Sequence, residues 1–145
     1  MQVKTDRFGV VECKTQDLLE FPYGLIGMEG IRRWVLLADA QSPALAWLQA
    51  VDRSDVALAV VSPRRFVQGY KVRVADRDLD AIGLAGPQDA QVLVVVSRHA
   101  EGLSANLRAP IVVSLESRRG RQVVSKDEHP VRHLLGGPAP LRRTA

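Results

Sequence analysis

The residues best able to do chemistry here are three histidines, His99, His129 and His133, and a single cysteine, Cys13. His129 and His133 have the i, i+4 spacing that puts two imidazoles on one helical face, which is half of a zinc site. Pro130 lies between them, so any helix there is short, and no cysteine or third ligand stands nearby to complete a set. No metal is predicted. Cys13 lies in an alternating segment and reads as a small core hydrophobe rather than a nucleophile. Without a partner it forms no intrachain disulfide, and the composition suits a reducing compartment.

The carboxylates offer no acid–base pair. Asp52 and Asp55 belong to a turn, and Asp76, Asp78 and Asp80 to a helix start, with nothing to raise a carboxyl pKa. GxSxG, GxxxxGK and GxGxxG are all absent, and Gly24, Gly27 and Gly30 lie in a loop without the strand–helix context of a phosphate cradle. The chain reads as a non-enzyme without a cofactor.

Binding is what remains. Residues 1–62 hold six Lys/Arg against eight Asp/Glu, a net of −2, and residues 63–145 hold fourteen against eight, a net of +6. The basic character thus belongs to the second half. One reading is a small RNA-binding protein using Arg64, Arg65, Arg118, Arg119, Arg121, Arg132, Arg142 and Arg143 on phosphates, with Phe66 or Tyr70 stacking. An aromatic share of 5% leaves little stacking surface, and no RNA-binding signature occurs. The other reading is a module that meets proteins through loops, with Phe66, Tyr70, Trp34 and Trp47 as possible anchors. Both tryptophans fall inside strand candidates and are expected in the core.

The elements that must position these residues are short strands. Leu103 to Val124 predicts a strand at Ile111 to Leu115, a tip at Arg118 to Arg121 with Gly120 at positive φ, and a return strand at Gln122 to Val124. Residues 2–13 form an opening hairpin. Leu18 to Phe21 stops at Pro22, and Leu25, Ile26 and Met28 plug the core from the turn-dense loop that follows. Strands are expected at Arg33 to Ala38, Ala46 to Val51, Val56 to Val61 and, most centrally, Gln91 to Ser97. Ser62 to Tyr70 is irregular, Lys71 to Val74 alternates as an edge strand, and Asp76 to Ile82 is a helix capped by Asp76 and closed by Gly83.

This pattern predicts a mainly β protein: a small antiparallel β-barrel-like single domain, residues 1–135, with one or two short helices and a flexible tail over 136–145. No apolar run approaches the ~20 residues of a membrane span. A cytoplasmic monomer is expected.

Several segments together resemble a known family. DLLEFPYGLIGME, RRWVLLAD, LAWLQAVDRSDVALAVVSP, SANLRAPIVVSLESRRGRQVV and VRHLL occur in the order found in the flagellar assembly factor FliW family, over about residues 6–135. The block with Asn106, Ala109-Pro110-Ile111 and Arg119-Gly120 is the most specific. The resemblance implies a non-enzymatic β-barrel-like protein that switches between two partners, flagellin and the translational regulator CsrA, so controlling flagellin synthesis. On this reading the loop after Val56 to Val61 is expected to meet a partner through Pro63, Arg64, Arg65, Phe66, Tyr70 and Lys71; Arg118, Arg119 and Arg121, the tip that the RNA-binding reading would use, are secondary candidates, and no direct contact with nucleic acid and no membrane are expected. Relatives are usually acidic in that loop, whereas this chain has Ser62, Gly69 and Lys71 there. Tyr23 and Ile26 stand where relatives tend to have Glu and Pro.

Overall fold

A computed structural model describes residues 1–84 and 89–135, so the expected tail, with Arg142 and Arg143, lies outside the described residues. β-Branched and apolar runs set the strands, and turn residues separate them. An opening hairpin pairs β1 (Gln2–Thr5) with β2 (Gly9–Glu12). Three strands follow as β3 (Leu18–Glu20), β4 (Arg33–Ala38) and β5 (Leu45–Ala50), then β6 (Ala57–Val61) and the helix α1 (Asp76–Asp80). The second half holds β7 (Ala90–His99), β8 (Gly102–Ala105), β9 (Ile111–Ser114), β10 (Gly120–Gln122) and β11 (His133–Leu134).

All of these strands pair antiparallel. The main sheet runs β10-β9-β7-β6-β5-β4-β3, and β8 joins β7 to β11. β7 is the hub, pairing with β6, β8 and β9, as its apolar composition predicts. The outermost strands approach each other at one parallel bridge between Glu20 and Arg119, where Glu20 N–H donates to the Arg118 carbonyl at 2.9 Å. A single bridge draws the edges together without a closing ladder, so the architecture is barrel-like rather than a closed barrel.

Alternation along the strands sends one set of side chains inward. Phe21, Trp34, Leu48, Val60 and Ile111 form the centre of the largest core cluster and are fully buried. Trp34 satisfies its indole N–H on the Ile31 carbonyl at 3.1 Å. The opening hairpin buries Val3 and Cys13 against Val35. Its tip lies over half-buried Trp47, with the Arg7 guanidinium 4.0 Å above the ring and Phe8 edge-on at 6.1 Å. Trp47 N–H donates to Asp39 at 2.9 Å, which holds that carboxyl below its usual pKa.

Four expectations are corrected. Lys71 to Val74 joins no strand; one backbone bond ties it in, from Lys126 N–H to the Arg73 carbonyl, while Val72 and Val74 pack inward against Ile82, Val112 and Val123. Helix α1 is shorter than predicted and starts from Ala75 without a side-chain cap, although Gly83, at φ +70°, does stop it. Arg118, not Gly120, takes the left-handed conformation at the hairpin tip, with φ 59°. Of the loop residues expected to plug the core, Leu25 is buried and Met28 half-buried, but Ile26 is exposed.

Candidate partner groove

The segment after β6 begins with a single 3-10 turn, Pro63–Arg65, in which Pro63 takes the first position and its missing N–H costs nothing. Pro63 is buried, Arg64, Arg65 and Lys71 are exposed, and Phe66 is half-buried against the cluster of Val61, Val94, Val96 and Leu107. Tyr70 is not a surface anchor. Only 3% exposed, it sits in that same cluster and donates its hydroxyl to the Leu107 carbonyl at 2.6 Å. Burial pushes the phenol up to about 12. An apolar ring with one polar tip is stable there because the tip has found an acceptor.

Inward packing of Phe66, Tyr70, Val72 and Val74 leaves a groove of about 590 Å³ beside the segment. Its floor is Pro63, Val72, Val74, Leu79, Val92 and Val112. Arg64, Arg73 and Lys126 stand on its rim with one carboxylate, Asp76. Arg73 is held by Asp127 at 2.9 Å, whereas Arg64 and Lys126 make no ion pair among the described residues. Arg64 also donates weakly to the Tyr70 carbonyl at 3.4 Å. An apolar trough with two uncommitted cations suits a protein segment that is apolar on one side and acidic on the other. Sequence reasoning missed Leu79, Val112 and Lys126, which reach this groove from distant parts of the chain.

Each arginine of the second candidate surface has a contact with another part of the fold, made at the surface or only partly buried. Arg118 Nη2 donates to the Asp17 carbonyl at 3.3 Å, Arg119 Nε lies 3.7 Å from Glu20, and Arg121 pairs with Asp78 at 3.3 Å while stacking 4.2 Å over the Tyr23 ring. These three arginines tie the hairpin tip to β3, α1 and the loop after β3. A phosphate backbone would have to compete with each of those contacts.

The histidines do not share a helical face. His133 is in β11, and His129 packs at 4.8 Å on the Tyr70 ring. His99 contacts Ser104 Oγ at 2.7 Å and Arg132 Nη2 at 2.8 Å. The resulting Ser–His–Arg row has the outline of a nucleophile relay with the wrong third member. A guanidinium has only donors, so His99 Nδ1 accepts and Nε2–H donates to Ser104. The nitrogen facing the hydroxyl is therefore already protonated and cannot act as its base.

Comparison with known proteins agrees with this architecture. The family described as "FliW protein" matches residues 2–135. The chain is 35% identical over 139 residues to "Flagellar assembly factor FliW" of Ruminiclostridium cellulolyticum, covering 93% of this chain and 94% of that protein. A protein of the same name from Azoarcus sp. is 36% identical over 132 residues, covering 86% and 90%. Among solved structures, "Crystal structure of the flagellar assembly factor FliW" superposes with a TM-score of 0.85 at 25% identity, covering 94% of this chain and 97% of that one.

Proposed function

The chain belongs to the FliW family, and from that premise we propose that it is a non-enzymatic flagellar assembly factor that binds flagellin in the groove beside Pro63 to Lys71. CsrA is its second partner in this reading, and exchange between the two in the cytoplasm controls flagellin synthesis. The observation that carries the reading is the apolar trough rimmed by Arg64 and Lys126, which make no ion pair among the described residues. Such a rim favours an acidic, apolar segment and disfavours a partner that is itself basic, so this reading puts CsrA, which the family resemblance gives as a basic RNA-binding regulator, on another surface. The committed arginines at the hairpin tip weigh against an RNA-binding role.

The test is retention of purified flagellin and purified CsrA on the immobilised protein at moderate salt. Retention of flagellin supports the reading, and retention of neither partner overturns it.

A further inference from the structure

β7 is ten residues long, and its two ends meet different surroundings. Ala90, Gln91 and Val92 line the groove described above, while Val95, Ser97 and His99 line a second one, of about 370 Å³. Met28, Leu58 and Val95 make its floor, and Ile26 and Val131 line it while remaining 54% and 55% exposed. Large aliphatic side chains left in water around a concavity are what a docking site offers before it is filled.

The loop that carries Ile26 is fixed in place. Ile26 N–H donates to Gln122 Oε1 at 2.9 Å, and Gln122 Nε2 donates onward to the Ala109 carbonyl at 3.0 Å. The groove is thus formed in advance, which lowers the ordering cost of binding.

Arg132 is the one lining residue with a fixed charge, and it makes no ion pair among the described residues. It is nevertheless aimed. Buried Ser104 holds His99 at 2.7 Å, and His99 Nδ1 accepts one Arg132 N–H at 2.8 Å, leaving the remaining guanidinium donors for a ligand. A guanidinium oriented by a neutral acceptor beside an apolar trough is built to take a carboxylate.

We propose that this second groove docks an extended protein segment in which an aliphatic side chain adjoins a carboxylate. The aliphatic group enters between Ile26 and Val131, and Arg132 takes the carboxylate. Because the two grooves lie toward opposite ends of β7 and share no lining residue, this segment and the partner of the first groove can be held together. The inference does not depend on the identity of that first partner.

The probe is a fluorescein-labelled hexapeptide of alternating Leu and Glu, followed by anisotropy on the whole protein. Leu/Lys and Leu/Gln peptides and a single-stranded RNA hexamer serve as comparison arms. The Leu/Glu peptide is expected to bind best. Arg132→Gln and Ile26→Asp each weaken it roughly tenfold, the loss expected for one charged hydrogen bond or one apolar anchor. Because the first groove also suits an apolar, acidic segment, the same two changes are repeated in the Arg64→Gln/Lys126→Gln protein, where the roughly tenfold losses persist; Arg77→Gln, an exposed cation lining neither groove, leaves binding unchanged. His99→Phe lowers affinity for the Leu/Glu peptide but not for the Leu/Gln peptide, a split that general loss of structure would not produce. The proposal fails if Leu/Lys or RNA binds as well as Leu/Glu, if Arg132→Gln binds normally, or if no Leu/Glu binding is detected up to about 1 mM.

Discussion

Gly120 and Phe21 are in such close contact that a Cβ on Gly120 would lie 2.6 Å from Cε2 of the Phe21 ring. The hairpin tip and the end of β3 meet at that point, beside the bridge from Glu20 to Arg119. Gly120 is a glycine for lack of space, not for its backbone angle.

Gly120→Ala should therefore destabilise the fold by about 1–3 kcal/mol, the usual cost of overpacking a filled core. Urea unfolding checks it. If the clash with Phe21 is the cause, the double variant Gly120→Ala/Phe21→Leu loses less than the sum of the two single changes. Strict additivity would mean that the ring is not what Gly120 avoids.

Tyr70 gives a second prediction with a pH signature. Tyr70→Phe removes the hydroxyl and leaves the Leu107 carbonyl without that donor, at a cost of about 1–2 kcal/mol below pH 9. In the folded chain the phenol is raised from its ordinary value of 10.0 to about 12 because burial disfavours phenolate. The folded state then holds a proton that the unfolded state releases, so this contribution is intact below about pH 10 and is lost as pH rises toward 12. The advantage of the wild type over Tyr70→Phe should shrink across that window in denaturant titrations. A constant difference would contradict the buried hydroxyl.

Tyr70 also shows which parts of the molecule could be read in the sequence. The runs at Arg33 to Ala38, Val56 to Val61 and Gln91 to Ser97 announce β4, β6 and β7 because composition, period and turn residues act within a few positions of one another. The acceptor of the Tyr70 hydroxyl is 37 residues away, and nothing local distinguishes a loop tyrosine that turns inward from one that faces a partner. The same holds for the hairpin arginines. As a sequence, Arg118 to Arg121 is a cationic tip; in the fold, Asp17, Glu20 and Asp78 come from remote segments to occupy it. Lys71 to Val74 alternates like a strand, but alternation reports which side chains are buried and not whether a neighbouring backbone is free to pair. The candidate groove needed Leu79, Val92, Val112 and Lys126 to converge, and only long-range packing brings them together.

Removing the tip arginines separates their structural role from nucleic-acid contact. Arg119→Ala and Arg121→Ala break ion pairs that are exposed or only partly buried, so each should cost no more than about 1 kcal/mol. Binding to single-stranded RNA, measured by anisotropy at low salt, should be weak in the wild type and little changed in the double variant. Tight wild-type binding that weakens steeply with salt and collapses on Arg118, Arg119 and Arg121→Ala would favour the RNA-binding reading.

Charge reversal at the first groove tests the principal reading most directly. Arg64 and Lys126 are exposed and bear no ion pair among the described residues, so Arg64→Glu and Lys126→Glu should leave the thermal midpoint within a few degrees of the wild type. Each reversal replaces a favourable rim charge with a repulsive one, and flagellin affinity should fall roughly tenfold per site, mostly through slower association. Higher salt should narrow the gap, because rim charges are screened over about 10 Å at 0.1 M. CsrA, if it uses another surface, should bind both variants like the wild type. Surface plasmon resonance with each purified partner over a salt series reads all of these outcomes. Unchanged flagellin kinetics in both variants would remove the groove from the flagellin interface and leave the family assignment untouched, since that rests on the match over residues 2–135 and not on these two side chains.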